Sequence, residues 1–389
     1  MRGSRRDVLA GTAATAALSM APAVLRAQSD LTLDFLTIPD PDGWHESLKL
    51  KGDWLIFVVS DGINSGYGEA SHSRDDPGCR DAARRLFAEH YRNFDLSLKA
   101  LAAKEAELAV LEPELVTATA LSGLNQACHE LLAKREQVPV WQLFRDRPGV
   151  ESLPLYTTIN RALEERSLAE YFQIVDALDE QGFSTFKCAP FEAVDTPENA
   201  AEKASAGLAT LKALRERYPE LGMRVDFHER FTPETFAEIL PELERLDLGW
   251  IEEPFTMGPA FTALKASTRL RVAAGELFWG RARFARIVDN AWADVIMPDV
   301  KYVGGFGALL DVMRMAEGRA EVSPHNPSGP ISTAASLHAA AVRPDSVRSL
   351  EYSFDRTGSR RVTGEQVESG RLHLADRPGW GIDPTRRTA

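Results

Sequence analysis

Six acidic or imidazole side chains recur at regular intervals through the second half of the chain, each after a short apolar segment. The six residues are Asp226, Glu252, Glu276, Asp299, His325 and Glu351. Consecutive members lie about 23 to 26 residues apart, which is the length of one strand–helix unit. In a parallel barrel the carboxyl ends of the strands meet around one rim. The spacing therefore predicts that all six side chains face one shared cavity.

The segments between these residues alternate between short apolar runs and amphipathic helical patterns. Strand candidates lie at residues 154–159, 185–187, 223–226, 248–252, 271–275, 294–297, 321–323 and 347–351. This alternation predicts the α/β class and a (β/α)₈-type modified TIM barrel over residues 151–352, with its last helix altered or missing. An open doubly wound sheet is the alternative, but no glycine-rich dinucleotide turn follows the first strand.

The residues before the barrel have a different pattern. Residues 54–59 and 67–70 form a strand–turn–strand signal, and helical spacing follows from about residue 81 to residue 143. We expect residues 28–150 to form an α+β capping domain. Residues 353–389 are then a C-terminal segment that returns to the cap. A chain of 389 residues suits a barrel of roughly 250 residues with such a smaller partner.

The N-terminus has the features of an export signal. Arg5 and Arg6 precede a weakly apolar, alanine-rich run, and small residues suited to cleavage follow, ending at Ala27. Residues 1–27 are therefore predicted to be a twin-arginine signal peptide, which would place the mature protein in the periplasm. An ordinary disordered basic N-terminus is the alternative. No later apolar stretch reaches the roughly 20 residues of a membrane span, so we expect no membrane association of the mature form.

Charge and cysteine content exclude other classes of function. A formal net charge of −12 argues against nucleic-acid binding, which requires a basic surface. Cys79, Cys128 and Cys188 are widely spaced and form no C-x-x-C pair, so a disulfide framework or a structural zinc site is not expected. The apolar context of Cys188 predicts buried packing instead of nucleophilic chemistry.

Three of the recurring residues form a candidate metal site. Asp226, Glu252 and Glu276 follow three successive strand candidates and offer hard oxygen ligands suited to Mg²⁺. A single carboxylate in such a place is usually a solvated loop residue or a helix cap, but three in phase would repel one another without a cation between them. Strand alternation turns Glu253 away from Glu252, so we expect Glu253 to touch the ligands and not the metal.

The remaining candidates suit acid–base chemistry. Asp299 can orient His325 as a general base, and His228 lies two residues beyond Asp226, within reach of whatever the metal binds. Lys187 ends the second strand candidate and is predicted to neutralise a substrate carboxylate. Glu351 can donate a hydrogen bond to a substrate oxygen or orient a neighbour. A lone histidine or lysine is more often structural, and only the barrel register favours function here.

These residues together suit proton abstraction next to a carboxylate. A divalent cation and Lys187 would stabilise the charge that develops on the substrate, His325 would remove the α-proton, and His228 would protonate a departing β-hydroxyl. His45 stays open as a further candidate, because the loop at residues 39–47 can close over the barrel mouth.

As a set, the motifs resemble those of the enolase superfamily in its mandelate racemase-like branch. They are Gly66-Tyr67-Gly68-Glu69-Ala70, Trp250-Ile251-Glu252-Glu253-Pro254, Gly275-Glu276, the stretch from Met297-Pro298-Asp299 to Gly304-Gly305, and His325. The resemblance implies Mg²⁺ on Asp226, Glu252 and Glu276, an Asp299–His325 dyad, and a symmetric homo-oligomer.

Within that branch, the segment from Asp226 to Arg230 is similar to the corresponding strand of galactonate and mannonate dehydratases, where the histidine is the general acid. Mandelate racemases carry a second lysine where this chain has Ala189. The resemblance implies a Mg²⁺-dependent dehydratase of an acid sugar or related small carboxylate. A racemase, epimerase or cycloisomerase that uses His325 and Lys187 as opposed bases is one alternative. A non-catalytic periplasmic carboxylate binder is another.

Overall fold

The structure is a computed structural model, and it describes residues 30–40, 53–194, 196 and 199–386. The predicted signal peptide at residues 1–27 and His45 lie outside the described residues. Part of the loop at residues 39–47 also lies outside them. Among the helices that the structure does describe, none is both long enough and apolar enough to cross a membrane.

Strands and helices alternate through most of the chain. The strands are β1 Thr32–Ile38, β2 Trp54–Ser60, β3 Ser65–Glu69, β4 Ser152–Thr158, β5 Thr185–Cys188, β6 Gly222–Asp226, β7 Leu248–Glu252, β8 Val272–Ala274, β9 Val295–Ile296, β10 Glu321–Val322, β11 Leu350–Ser353, β12 Gln366–Glu368 and β13 Arg371–His373. The α-helices are α1 Asp76–His90, α2 Leu98–Leu108, α3 Leu115–Arg135, α4 Leu168–Glu180, α5 Ala200–Arg217, α6 Pro233–Leu243, α7 Ala260–Ser267, α8 Gly280–Asp289, α9 Phe306–Ala316, α10 Pro330–Val342 and α11 Ser359–Val362. A 3₁₀ helix spans Val140–Leu143.

The N-terminal part is a small α+β unit. Strands β1, β2 and β3 form an antiparallel sheet, and α3 packs against β3. The approach is close because β3 carries glycines on the contact side. A Cβ on Gly66 would lie 2.0 Å from the carbonyl oxygen of Ala127, and one on Gly68 would lie 1.9 Å from that of Gly123. Any larger residue at these positions would push α3 off the sheet.

The central part is the predicted barrel. Strands β4 to β10 run parallel in sequential order, and β11 returns to pair in parallel with β4. A bridge between Val322 and Val347 closes the remaining gap beside β10. The prediction of an α/β modified TIM barrel with an N-terminal α+β cap is therefore confirmed. The last predicted strand began three residues too early. Val347 makes only the closing bridge, and the regular strand β11 begins at Leu350.

The C-terminal segment contacts both units. Its hairpin of β12 and β13 adds antiparallel to the start of β4. Trp380 donates from its backbone N–H to the Glu130 carboxylate of α3 at 3.1 Å and from its indole Nε1 to the carbonyl of Tyr67 at 2.9 Å. Cys79, Cys128 and Cys188 are free and buried, and the burial of Cys188 agrees with its apolar sequence context.

Glu69 joins the cap to the barrel. Its side chain, buried at the end of β3, accepts hydrogen bonds from the backbone N–H groups of Gly329 at 2.7 Å and Ser332 at 2.9 Å, which begin α10. The first backbone N–H groups of a helix have no partner within the helix, and a carboxylate there also interacts favourably with the helix dipole. Glu69 thereby fixes the loop that carries His325 relative to the cap.

We expect Glu69→Ala to lower the free energy of unfolding by about 1–3 kcal/mol, because it leaves buried backbone donors without partners. Urea unfolding followed by circular dichroism measures the loss. Glu89→Ala is the control, since the Glu89 side chain is 63% exposed, and it is expected to stay within about 0.5 kcal/mol of the parent protein. Equal stability of the two variants would contradict the proposal that Glu69 stabilises the contact between the cap and α10.

Candidate active site

The three predicted metal ligands lie together at the carboxyl ends of neighbouring strands. Asp226 ends β6, Glu252 ends β7, and Glu276 lies two residues beyond β8. One carboxylate oxygen from each residue can be chosen such that all lie within 4.8 Å of one another. Register pairs Asp226 directly with Glu252, which sets the two side chains on the same level of the barrel. These are hard oxygen donors at a spacing that fits a divalent cation such as Mg²⁺.

Lys187, from β5, lies among the same carboxylates. Its Nζ is 2.5 Å from Glu252 Oε1, 3.0 Å from Glu351 Oε1 and 3.2 Å from Asp226 Oδ2. Burial alone would lower the pKa of Lys187, but Glu252, Glu351 and Asp226 raise it well above the usual value. Burial, with Asp226 next in size, raises the pKa of Glu252 well above the normal range. The cluster carries more negative charge than one ammonium balances, which is the setting that a bound cation requires.

We expect Lys187→Met to destabilise the chelator-treated protein by about 3–5 kcal/mol, because it removes the cation from buried carboxylates. Adding Mg²⁺ should restore part of that loss. Thermal and urea unfolding with EDTA and with Mg²⁺ measure both effects. Lys212→Met breaks an exposed ion pair with Glu242 and should cost less than about 1 kcal/mol. A Lys187 variant as stable as that control would contradict the electrostatic account.

Glu253 contacts the backbone of a predicted metal ligand, as expected, but strand alternation is not what orients its side chain. Its Oε1 accepts hydrogen bonds from the backbone N–H groups of Gly275 at 2.7 Å and Glu276 at 3.3 Å. Strand alternation does not turn it, because β7 ends at Glu252 and Glu253 has a φ of +40°. Burial, with a smaller contribution from Glu276, raises the pKa of Glu253 to about 8. Glu253 therefore holds the backbone that presents Glu276.

His325 is held between two carboxylates. Its Nδ1 lies 2.9 Å from Asp299 Oδ2, and its Nε2 lies 3.1 Å from Glu276 Oε2. Burial opposes the charged imidazolium, but Glu276, Glu351 and the bond to Asp299 raise the pKa of His325 to about 10. Both His325 and Asp299 stand three residues beyond their strands, on the loops and not in β10 and β9 themselves. Nδ1 faces the orienting carboxylate, which leaves Nε2 for the metal side of the cavity.

Sequence reasoning missed Lys301. Its buried Nζ lies 2.7 Å from Asp299 Oδ2, the oxygen that also contacts His325. The pKa of Asp299 is lowered because Lys301 and His325 outweigh the effect of burial. Lys301 lies in a turn that begins at Asp299, because the backbone N–H groups of Tyr302 and Val303 donate to the Asp299 carbonyl. The Asp-x-Lys spacing in the sequence did not by itself indicate this turn.

His228 contacts a different carboxylate of the cluster, Asp226. Its Nε2 is 3.2 Å from Asp226 Oδ2, and its Nδ1 is 3.8 Å from Glu192 Oε1. The extended chain assumed from the sequence is wrong at this point, because His228 has a φ of +48°. A turn places the ring, and its backbone N–H bonds to Asp226 Oδ1 at 3.0 Å. Burial disfavours its charge, yet Asp226 raises the pKa of His228 to about 9.

Glu192 and Arg230 were also missed. Arg230 Nη2 lies 2.6 Å from Glu192 Oε2, so the carboxylate that faces His228 is itself held in place. The structure also defines the position of Glu351. Its Oε2 accepts a hydrogen bond from the backbone N–H of Asn326 at 3.0 Å, while Oε1 faces Lys187. This geometry suits the orienting of neighbours, one of the two roles considered for Glu351.

A cavity of about 520 Å³ opens above these residues, within the range of small-molecule sites. From the predicted set its wall contains Lys187, Asp226, His228, Glu276, His325 and Glu351. Glu252 and Asp299 lie behind the wall, with side chains that are 0% exposed. Residues of the cap, including His72 and Arg74, line it as well. The structure therefore brings all eight predicted site residues to one location between the cap and the barrel.

The class of protein follows from this combination of an α+β cap, a modified barrel and an acidic trio flanked by two imidazoles. The profile of the family described as enolase C-terminal domain-like matches residues 171–388. The chain belongs to this family and is an enzyme of the enolase superfamily, as the motifs predicted.

Curated relatives and solved structures agree with that assignment. The chain is 28% identical to a D-galactonate dehydratase of Cronobacter sakazakii over 281 residues, which is 68% of this chain and 71% of the relative. It is 32% identical to a D-galactonate dehydratase of Verminephrobacter eiseniae over 230 residues, which is 57% of each chain. A mandelate racemase/muconate lactonizing enzyme-like protein from Rubrobacter xylanophilus superposes with a TM-score of 0.79 at 22% identity, covering 92% of this chain and 95% of that one. That last likeness concerns the fold.

Proposed function

We propose that this enzyme is a Mg²⁺-dependent dehydratase of an acid sugar. The observation that carries the proposal is the contact of two imidazoles with different carboxylates of one cluster, His325 with Glu276 and His228 with Asp226. Abstraction of a proton and departure of a hydroxyl require a base and an acid at separate positions. The likeness to D-galactonate dehydratases supports the same reaction class.

Asp226, Glu252 and Glu276 would hold the metal ion. When bound, a divalent cation supplies stabilisation for the negative charge that develops on the substrate carboxylate. Lys187 adds positive charge at the same place, since its ammonium contacts two of the three ligands.

His325 is the proposed base. Asp299 fixes the ring through Nδ1, so Nε2 receives the α-proton. His228 is the proposed acid, and it transfers a proton to the β-hydroxyl as the C–O bond breaks. The pair of electrons from the broken C–H bond forms the new double bond, and water leaves. Tautomerisation then yields a 2-keto-3-deoxy acid.

The paired state of Lys187 favours dehydration over a two-base isomerase. Its ammonium contacts Asp226, Glu252 and Glu351, so its protons are engaged with carboxylates and it is not placed to accept a proton from the substrate. A racemase also needs a second base on the opposite face of the carbon. Mandelate racemases carry a second lysine at the position that Ala189 occupies in this chain. A mere carboxylate binder would need neither the Asp299–His325 pair nor His228. The acid–base groups therefore support turnover.

We expect His228→Asn to lower the rate of water loss by about 100-fold or more, while exchange of the α-proton with solvent continues. The variant keeps His325 and therefore the base. Proton NMR in D₂O reports exchange and keto-acid formation in the same sample. Loss of both processes in a folded, Mg²⁺-binding variant would contradict the assignment of His228 as the acid.

The substrate is found by screening the purified, Mg²⁺-loaded protein against a library of acid sugars for keto-acid formation. Turnover of at least one member supports the proposal, and no turnover of any member would count against it.

Export by the twin-arginine pathway is also part of the proposal. The test is periplasmic fractionation of cells that produce either the full chain or the variant with both Arg5→Lys and Arg6→Lys. Light scattering tests the proposed homo-oligomer.

A further inference from the structure

The cavity wall contains more positive charge than the proposed chemistry uses. Its cationic residues are Arg74, Arg161, Arg166, Lys187, Arg230 and Arg283. Lys187 is held by the carboxylates of the metal site. Arg166 and Arg230 both contact Glu192, with Nη1 and Nη2 at 3.4 and 2.6 Å from its oxygens. The carboxylates of the site thus hold Lys187, Arg166 and Arg230.

Arg161 is a buried cation of the same wall. It follows β4, is 7% exposed, and places Nη2 2.8 Å from Nδ1 of His72. Burial and the neighbouring guanidinium lower the pKa of His72 well below its usual value, so the ring beside Arg161 is neutral. Burial lowers the pKa of Arg161 to about 10, with Asp40 acting in the opposite direction. Arg161 is therefore a fixed guanidinium at the cap side of the cavity.

Arg74 and Arg283 are exposed at the cavity wall, and neither forms an ion pair with a carboxylate in the part of the chain that the structure describes. Arg74 lies on the cap loop between β3 and α1, and Arg283 lies on α8 of the barrel. The cap loop is held in place because the Tyr302 hydroxyl donates to the carbonyl of His72 at 3.2 Å. The two residues thus line the cavity from the cap and from the barrel.

The location of these charges matters. The predicted metal ligands stand at strand ends of the barrel, and two of them, Asp226 and Glu276, line the cavity. The cap contributes Arg74 and His72 to the same cavity. A substrate whose carboxylate lies on the metal would extend from the strand ends toward the cap. Guanidinium groups bind carboxylates through paired, charge-assisted hydrogen bonds. A neutral hydroxymethyl end would leave that capacity unused.

We propose that the enzyme prefers an acid sugar with a carboxylate at both ends, an aldarate, whose second carboxylate binds between Arg74 and Arg283 with Arg161 behind them. This inference rests on the proposed dehydratase function and narrows its substrate class. The metal and the two imidazoles act at one end of the substrate, and the arginines determine which molecules enter in productive orientation.

The test compares pairs of hexonates and hexarates of the same configuration, which differ only in a terminal –CH₂OH or –COO⁻. We expect kcat/KM to be at least about 10-fold higher for the matching hexarate. In Arg74→Met and Arg283→Met, the ratio of hexarate to hexonate kcat/KM should fall about 10-fold, chiefly through KM. Arg281→Met is the matched control, since Arg281 is exposed on the same helix and does not line the cavity. Its ratio should stay that of the parent enzyme.

The outcomes separate this inference from the function on which it rests. Turnover of hexonates with equal or better efficiency, and a ratio that the arginine variants do not change, would overturn the aldarate preference while leaving the dehydratase intact. Preference for a hexonate phosphate over the hexarate would overturn it as well. Absence of turnover with every acid sugar would instead remove the dehydratase proposal itself. Melting temperatures of the three variants, expected to equal that of the parent, show that the comparison concerns folded protein.

Discussion

His325→Asn is expected to lower the dehydration rate by about 1,000-fold or more and to stop exchange of the substrate α-proton. Asparagine retains polarity and approximate size but cannot accept the proton at the position of Nε2. The Asp299 carboxylate remains paired with Lys301 in the variant, so the buried charge is still compensated. Binding of Mg²⁺ should persist, because Asp226, Glu252 and Glu276 are unchanged.

Keto-acid formation and α-proton exchange in D₂O measure this prediction. His373→Asn is the control, since His373 belongs to the β13 strand and does not line the cavity. We expect that variant to retain full activity. Exchange at the parental rate in His325→Asn would show that another group removes the proton, and the assignment of the base would fail.

Glu252→Gln is expected to weaken Mg²⁺ binding by about 100-fold and to reduce activity to background, because it replaces a charged oxygen ligand. Glu252 suits the test best among the three ligands, because its carboxylate accepts hydrogen bonds from Lys187 Nζ and Trp250 Nε1, whereas Asp226 and Glu276 each contact an imidazole. In the parent protein, Mg²⁺ at about 100 times its dissociation constant should add about 2.7 kcal/mol to the free energy of unfolding.

Calorimetric titration and unfolding with and without Mg²⁺ measure the effect of Glu252→Gln. Glu229→Gln is the matched control, since Glu229 is an exposed carboxylate of the same cavity that is not part of the acidic trio. It removes the same charge and should keep most of the Mg²⁺-induced stabilisation. Equal stabilisation of Glu252→Gln and the parent protein would show that the trio is not the metal site.

The sequence predicted the barrel and the principal site residues because strand–helix units repeat and strand ends meet at one rim. Asp226 and Glu252 follow directly from that periodicity. His228 and Glu253 were placed near the site by an argument from extended strands, yet positive φ angles orient both of them. Backbone turns at strand ends cannot be read from the alternation of apolar residues.

Contacts between residues far apart in the sequence could not be predicted from local patterns. Glu69 meets Ser332 across 263 positions, and no local pattern indicates that a cap carboxylate begins a barrel helix. The ion pair of Lys301 with Asp299 depends on a turn that begins at Asp299, which the sequence pattern does not indicate. The cavity arginines come from the cap and from several barrel elements, so their convergence appears only in three dimensions.

The central claim is that one site couples metal-assisted loss of an α-proton to loss of water. The most direct measurement is NMR in D₂O of an accepted acid sugar, unlabelled and α-deuterated, with the Mg²⁺-loaded and the EDTA-treated enzyme. We predict a 2-keto-3-deoxy product with Mg²⁺, no product with EDTA, and slower reaction of the α-deuterated substrate. Inversion at the α-carbon without loss of water, or equal rates in EDTA, would contradict the account.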